Sequence, residues 1–231
     1  MNDTTPSVIV FDVNETLLDI GTLEPLFARL FGDAGVMREW FAQMVLYSEA
    51  MTLAGAYAPF GQIGAGVLKM VGEIHEVPVG EDDTDELAER VGSMPVHDDV
   101  EGALETLAAA GFRLVTLTNS APGSGPSPLA KAGLEHHFER TFSVAAVRRF
   151  KPAPETYASV TAALGVGIES TCLVAAHAWD TLGAQLAGGR GALLTRPGNA
   201  VLDVPGVPHP DIVAPDLATV AAEIVSRWAR R

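Results

Sequence analysis

The chain is short of the residues that would place it in several protein classes. It has one cysteine, Cys172, so no internal disulfide can form. Cys172 sits in the apolar run Thr171-Cys172-Leu173-Val174, where a buried core thiol is expected rather than a nucleophile. Cations are scarce: 15 Lys and Arg stand against 29 Asp and Glu, for a formal net charge of −14. No basic stripe exists to neutralise phosphates, which argues against nucleic acid and anionic membrane surfaces as partners. A small anionic substrate stays open, because a few local cations can hold one. No stretch approaches ~20 uninterrupted apolar residues, so no membrane span is expected. Met1 to Pro6 lacks the basic and apolar regions of a secretion signal, and a cytoplasmic location is the expectation. There is no internal repeat. His75, His97, His136, His137 and His209 show no ligand spacing with carboxylates or cysteines and read as structural or surface residues.

What is present suits a packed α/β protein. The 231 residues are 48% hydrophobic, enough for one large domain or a core with a smaller insert. The run Val8 to Phe11 reads as a fully buried strand. Asp12 stands at its carboxyl end, where ligands bind in open α/β sheets. On its own an Asp there is a nucleophile, a metal ligand or a turn cap.

From Thr22 to Val91 the pattern is helical. Leu23, Leu26, Phe27, Leu30 and Phe31 form one apolar face. Trp40, Phe41, Met44, Val45 and Tyr47 form a second, and Ile63, Val67, Met70, Val71 and Ile74 a third. Asp82 to Glu86 is an acidic helix start. Strands and helices alternate afterwards. Asp98-Asp99 are expected to cap a helix through Ala110. Strands are expected at 112–117, 141–144, 171–175, 192–195 and 212–213, with helices near 129–132, at 154–164, over 181–187 and at 218–228. A loop spans Ala121 to Pro128. Such βα alternation implies a parallel sheet with helices on both faces.

Polar residues collect at the strand ends. Asp12 and Thr16 follow the first strand; Thr118, Asn119 and Ser120 follow the second. Lys151 precedes a helix, and His177 and Asp180 follow the strand at 171–175. Topology brings such ends together. One Asp and one Lys among hydroxyl and amide groups form a plausible nucleophile with its electrostatic support.

Those segments, Phe11-Asp12-Val13-Asn14-Glu15-Thr16, Leu117-Thr118-Asn119-Ser120, Lys151-Pro152 with Tyr157, and Ala176-His177-Ala178-Trp179-Asp180, resemble the haloacid dehalogenase superfamily. More narrowly they resemble its 2-haloacid dehalogenase (type II) branch, whose helical cap the stretch from Trp40 through Phe60 also resembles. The resemblance implies a Rossmann-like parallel-sheet core, residues 1–21 and 92–231, with an inserted all-helical cap, 22–91. It implies that Asp12 displaces halide from a small 2-haloalkanoic acid, forming an aspartyl ester that water then hydrolyses. Lys151 would keep Asp12 ionised, and Asp180 would orient Lys151 or the water. Thr16, Thr118 and Asn119 would donate hydrogen bonds to Asp12 or to the substrate carboxylate, and Tyr157 would bond within the same group.

The chain departs from the branch in places. Asn14-Glu15 stands for Tyr-Gly, and Phe41 for the Arg proposed to receive halide, with Arg38 one helical turn earlier. Ala175 and His177 stand for Ser and Asn; His177 is expected to serve as base for the hydrolytic water. Phosphatases of the superfamily carry an acidic residue where Asn14 stands. An amide cannot protonate a leaving alcohol, whereas halide needs no proton. Dehalogenation without a cofactor is therefore expected, with Mg²⁺ reserved for a phosphatase or phosphonatase alternative, for which Lys69 is the cap lysine. A non-catalytic member of the fold is the remaining alternative. A homodimer is implied by the resemblance alone.

Overall fold

A computed structural model describes residues 5–123 and 125–229. Residues 1–4, on which part of the leader reading rests, and Ser124 of the 121–128 loop lie outside it, as do 230–231.

Among the described residues six strands form one sheet: β1 (Val8–Phe11), β2 (Arg113–Thr118), β3 (Arg140–Ser143), β4 (Thr171–Ala175), β5 (Arg190–Leu194) and β6 (Ile212–Ala214). The order is β3-β2-β1-β4-β5-β6 and every pairing is parallel. β1 and β4 are buried along their whole length, as apolar runs covered on both faces should be. Phe11 pairs with Thr116 on one side and Val174 on the other. The carboxyl ends of β1, β2 and β4 thus finish side by side. The chain order reverses direction across the sheet at β1, the topology that opens a ligand crevice at the strand ends.

Four helices lie between β1 and the rest of the sheet: α1 (Glu24–Phe31), α2 (Val36–Ala54), α3 (Phe60–Ile74) and α4 (Glu81–Val91). They form the helical cap. Trp40 of α2 donates its indole N–H to the Gly64 carbonyl of α3 at 2.9 Å. Gly64 permits that approach, since a side chain there would press on Met44 and Trp40. Tyr47 and Ile74, expected on the apolar faces, are exposed: Tyr47 falls at the edge of the buried stripe of α2, and Ile74 is the last residue of α3.

The cap docks on the segment that leads into Lys151. Thr52 at the end of α2 accepts from the Phe150 N–H at 2.9 Å. Tyr57 and Phe60 lay their rings on Phe150 at 5.1 and 5.7 Å. Beyond the cap follow α5 (Val100–Ala109), α6 (Pro128–Lys131), α7 (Pro154–Leu164), α8 (Ala178–Leu186) and α9 (Leu217–Trp228). α5 packs on α9, and α7 on α8. Cys172 is fully buried in β4, and burial pushes its thiol far up in pKa. No helix among the described residues is long and apolar enough to cross a membrane.

Asp99 precedes α5 as expected but does not cap it. Its carboxylate instead takes a two-pronged pair from Arg196, both contacts at 2.8 Å, and accepts from the Leu217 N–H at the start of α9. Arg196 also donates to the Thr16 carbonyl at 3.1 Å, so this pair ties the loop after β1 to α5 and α9. Removing one partner of a buried pair strands the other charge. Arg196→Ala should lower stability by about 3 kcal/mol in urea denaturation.

Candidate active site

Asp12 is 5% exposed and its two oxygens are separately engaged. Oδ2 accepts from the Thr16 hydroxyl at 2.7 Å, and Oδ1 from Lys151 Nζ at 2.8 Å. Thr16 in turn accepts from the Ala176 N–H at 2.9 Å, which ties the β1 loop to the end of β4. Lys151 is wholly buried. Its ammonium also donates to Asp180 Oδ2 at 2.5 Å and to the Leu117 carbonyl at 3.0 Å. All three ammonium hydrogens are therefore spent. Asp180, in the first turn of α8, accepts from the Tyr157 hydroxyl at 2.7 Å on its other oxygen.

Burial opposes every one of these charges. At Asp12, Lys151 and His177 overcome it and hold the carboxyl well below the usual carboxylate range. At Lys151, Asp12 and Asp180 overcome it and raise the ammonium above an ordinary lysine. Asp180 is pushed up by burial and by the nearby charge of Asp12, against the pull of Lys151 and Tyr157. Burial and Asp180 lift the Tyr157 phenol well above its ordinary value, so it stays a donor.

His177 lies at the other side of Asp12, 5% exposed. Its Nε2 bonds Glu15 Oε2 at 2.9 Å, and its Nδ1 is 3.5 Å from Asp12 Oδ2. Phe41 and Trp179 stack on the ring, each at 5.2 Å. Burial disfavours the imidazolium, but Asp12 and Glu15 push its pKa up to about 9. A protonated ring has no lone pair to take a proton from water, so this environment suits a donor rather than the base expected from the sequence.

The remaining expected residues are also placed. Asn119 accepts the Lys151 backbone N–H on its side-chain oxygen at 3.1 Å. The Thr118 hydroxyl accepts from the Ser120 N–H at 3.1 Å. These acceptor bonds shape the turn after β2 and fix Lys151, and among the described residues they leave the hydrogens of the Thr118 hydroxyl and the Asn119 amide, the donors expected to serve Asp12 or substrate, uncommitted. Asn14 donates to Ser120 Oγ at 3.2 Å. Phe41 packs on His177, and Arg38 pairs with Glu15 and donates to the Pro197 carbonyl at 2.8 Å. Lys69 is exposed on α3.

No role was expected for Glu15 or for Asn199, which donates to Glu15 Oε1 at 2.8 Å. Asn199 follows the end of β5, and only its place beyond a strand end could have drawn attention. Among the described residues no three His, Cys, Asp or Glu side chains gather as a metal site. The facing oxygens of Asp12 and Asp180 are both taken up by the Lys151 ammonium.

The family model of haloacid dehalogenase-like hydrolases matches residues 6–188. The chain belongs to this family. Among similar proteins is (S)-2-haloacid dehalogenase 2 of Pseudomonas sp. (strain CBS-3), 28% identical over 179 residues, covering 77% of this chain and 78% of that one. A solved L-2-haloacid dehalogenase superposes with a TM-score of 0.89 at 25% identity, over 96% of this chain and 99% of its own. The L-2-haloacid dehalogenase of Xanthobacter autotrophicus, solved with chloropropionic acid covalently bound, gives 0.85 at 24% identity over 96% and 99%. The hydrolase fold of the family, a Rossmann-like core with a helical cap, is thus the fold of this chain.

In this hydrolase core α8 approaches α7 and the Lys151-Pro152 segment closely. A Cβ on Gly183 of α8 would overlap Pro152 Cβ and the Tyr157 hydroxyl. Gly183→Ala should cost about 1–3 kcal/mol in chemical denaturation. Adding Tyr157→Phe, which removes the overlapping hydroxyl, should recover part of that loss, a coupling read from a double-mutant cycle.

Proposed function

We propose that the protein hydrolyses a small 2-haloalkanoic acid through a covalent ester on Asp12. The observation that carries this reading is the Asp12 carboxylate held ionised by a buried lysine, with no proton donor at the neighbouring position 14. In the first step an Asp12 oxygen bonds to C2 as the carbon–halogen bond breaks, and halide leaves with the bonding pair. In the second, water adds at the Asp12 carboxyl carbon. Collapse frees the 2-hydroxy acid and one proton and regenerates the carboxylate. The ester divides one difficult displacement into two easier steps.

Lys151 keeps Asp12 deprotonated and stabilises the oxyanion formed in the second step. Asp180 and Tyr157 fix the position of that ammonium, and Thr16 orients the nucleophile. Asn119 sets the backbone of Lys151, and Thr118 shapes the same turn. Asn14, an amide turned toward Ser120, supplies no acid, which suits halide and not an alkoxide. The reaction as written uses no cofactor. The cap, taken as 22–91, encloses the site and shields the displacement step from water.

Halide release should be seen with 2-chloro- or 2-bromo-acids without added metal, and should fall to background in Asp12→Asn. In a single turnover in ¹⁸O-water, the label should enter the Asp12 carboxylate and not the product. An (S)-substrate should give the (R)-hydroxy acid, because C2 is attacked once. Phosphate-ester hydrolysis that requires Mg²⁺, with no halide released from any acid, would overturn the reading.

A further inference from the structure

Glu15 sits in a costly backbone conformation. Its φ is 66°, in the left-handed region that favours glycine, where other residues persist only if their surroundings hold them. Its side chain is 2% exposed, and both oxygens are committed. Oε1 takes Asn199 and Arg38, and Oε2 takes His177 Nε2. Three segments, α2, the loop after β5 and the loop after β4, thus converge on one carboxylate, and what it holds is the His177 ring.

The other ring nitrogen is the unusual one. His177 Nδ1 is buried and has no hydrogen-bond partner among the described residues. Its nearest carboxylate oxygen is Asp12 Oδ2, 3.5 Å away. The charged groups around the ring are few. Asp12 and Glu15 face it directly. Arg38 lies behind Glu15. Lys151 sits beyond the Trp179 ring, 5.8 Å from its centroid, and is paired with Asp180. Phe41 and Trp179 stack on the ring, and their π faces favour a cation.

A 2-haloacid brings a second negative charge to this place. For attack, C2 must lie about 3–3.5 Å from an Asp12 oxygen, which sets the substrate carboxylate a few ångströms from the nucleophile. Two anions so close need hydrogen-bond donors beside them, and a cationic donor serves best. Lys151 has no hydrogen left to give, and Arg38, with two of its five N–H groups given to Glu15 and the Pro197 carbonyl, stands behind Glu15 rather than on Asp12. We propose that Glu15 holds His177 as an imidazolium whose Nδ1–H binds the carboxylate of the substrate beside Asp12. Halide leaves on the far side of C2 from the attacking oxygen, away from this N–H, so the carboxylate is the anion His177 meets. The upward shift of the ring by its two carboxylates agrees with the charge this role needs. Glu15 is a positioning residue, and His177 a binding one. This inference rests on the haloacid reading.

The test follows the His177 ring by NMR in histidine-labelled protein, with propionate, which cannot be turned over, as the probe. In the wild type His177 should titrate near 9, so the charge is full below that pH and is lost above it. Propionate should shift the ring resonance, and its affinity should fall as the pH rises through the same value. In Glu15→Gln the ring should titrate nearer the ordinary value of about 6.5. Propionate should then bind about tenfold or more weakly at pH 8 and regain its affinity at pH 6. Glu15→Gly, which suits the left-handed backbone, should behave alike and serves if the Gln variant does not fold. Recovery at low pH is a signature that loss of structure would not give. A wild-type ring neutral at pH 7.5, propionate affinity indifferent to the His177 charge, or a resonance moved by bromide and not by propionate would each overturn the proposal. These readings need no turnover. Halide release from the wild type judges the haloacid reading separately.

Discussion

The structure depends on one ammonium group. Asp12, at the end of β1, and Asp180, in the first turn of α8, come from separate segments, and both are almost wholly removed from water. Two carboxylates in so dry a place repel each other and each loses its hydration, at several kcal/mol per ion. Lys151, between them at 2.8 and 2.5 Å, makes their burial tolerable. Much of the nearby structure holds that ammonium in place. The cap stacks on Phe150 one residue before it, Asn119 takes its backbone N–H, and Tyr157 satisfies the far oxygen of Asp180. The missing side chain of Gly183 leaves room for Pro152 and Tyr157.

The ammonium belongs to a longer series. Read from cap to core, Arg38, Glu15, His177, Asp12, Lys151 and Asp180 alternate in sign, each beside the next. With His177 protonated the series is neutral as a whole, and every buried member has an opposite charge on each available side. This answers how a protein of net charge −14 presents an anion-compatible site. The excess of acid lies elsewhere, and the site carries its own compensation. The low pKa of Asp12 and the raised pKa of His177 are two consequences of the same arrangement.

The sequence made some of this legible and not the rest. The sheet could be read because its strands are short apolar runs punctuated by turns, and β4 falls on the residues expected, Thr171–Ala175. Asp12, Lys151, Asp180 and Tyr157 could be grouped because the end of a parallel strand gathers distant segments, and because their motifs resemble a family. The function of Asp99 was not legible. An Asp before a helix looks like a cap, but a two-pronged guanidinium offers more than one backbone N–H, and Arg196 lies 97 residues away. Thr118 and Asn119 stand at the strand end expected; the acceptor bonds each makes within the protein were not legible, since acceptors and donors are settled only by what stands opposite. Glu15 was the largest omission. Its carboxylate is buried yet held ionised by His177 and then Arg38, with Asn199 on one oxygen, and none of these is near it in sequence.

The longest link in the charged series is the one between His177 and Asp12, at 3.5 Å. Elsewhere along it the partners are in direct hydrogen-bond contact, and a link already closed has no need of a further anion. At this link the ring donor is unspent and the nucleophile is adjacent. Fold alone cannot choose among the chemistries that a sheet of this order supports. That choice falls to a few side chains around Asp12: an amide at Asn14 that withholds a proton, an ammonium already committed to two carboxylates, and an imidazole held by a third with its free nitrogen toward the nucleophile. Together they favour a substrate that arrives with one negative charge and departs by releasing another without needing an acid.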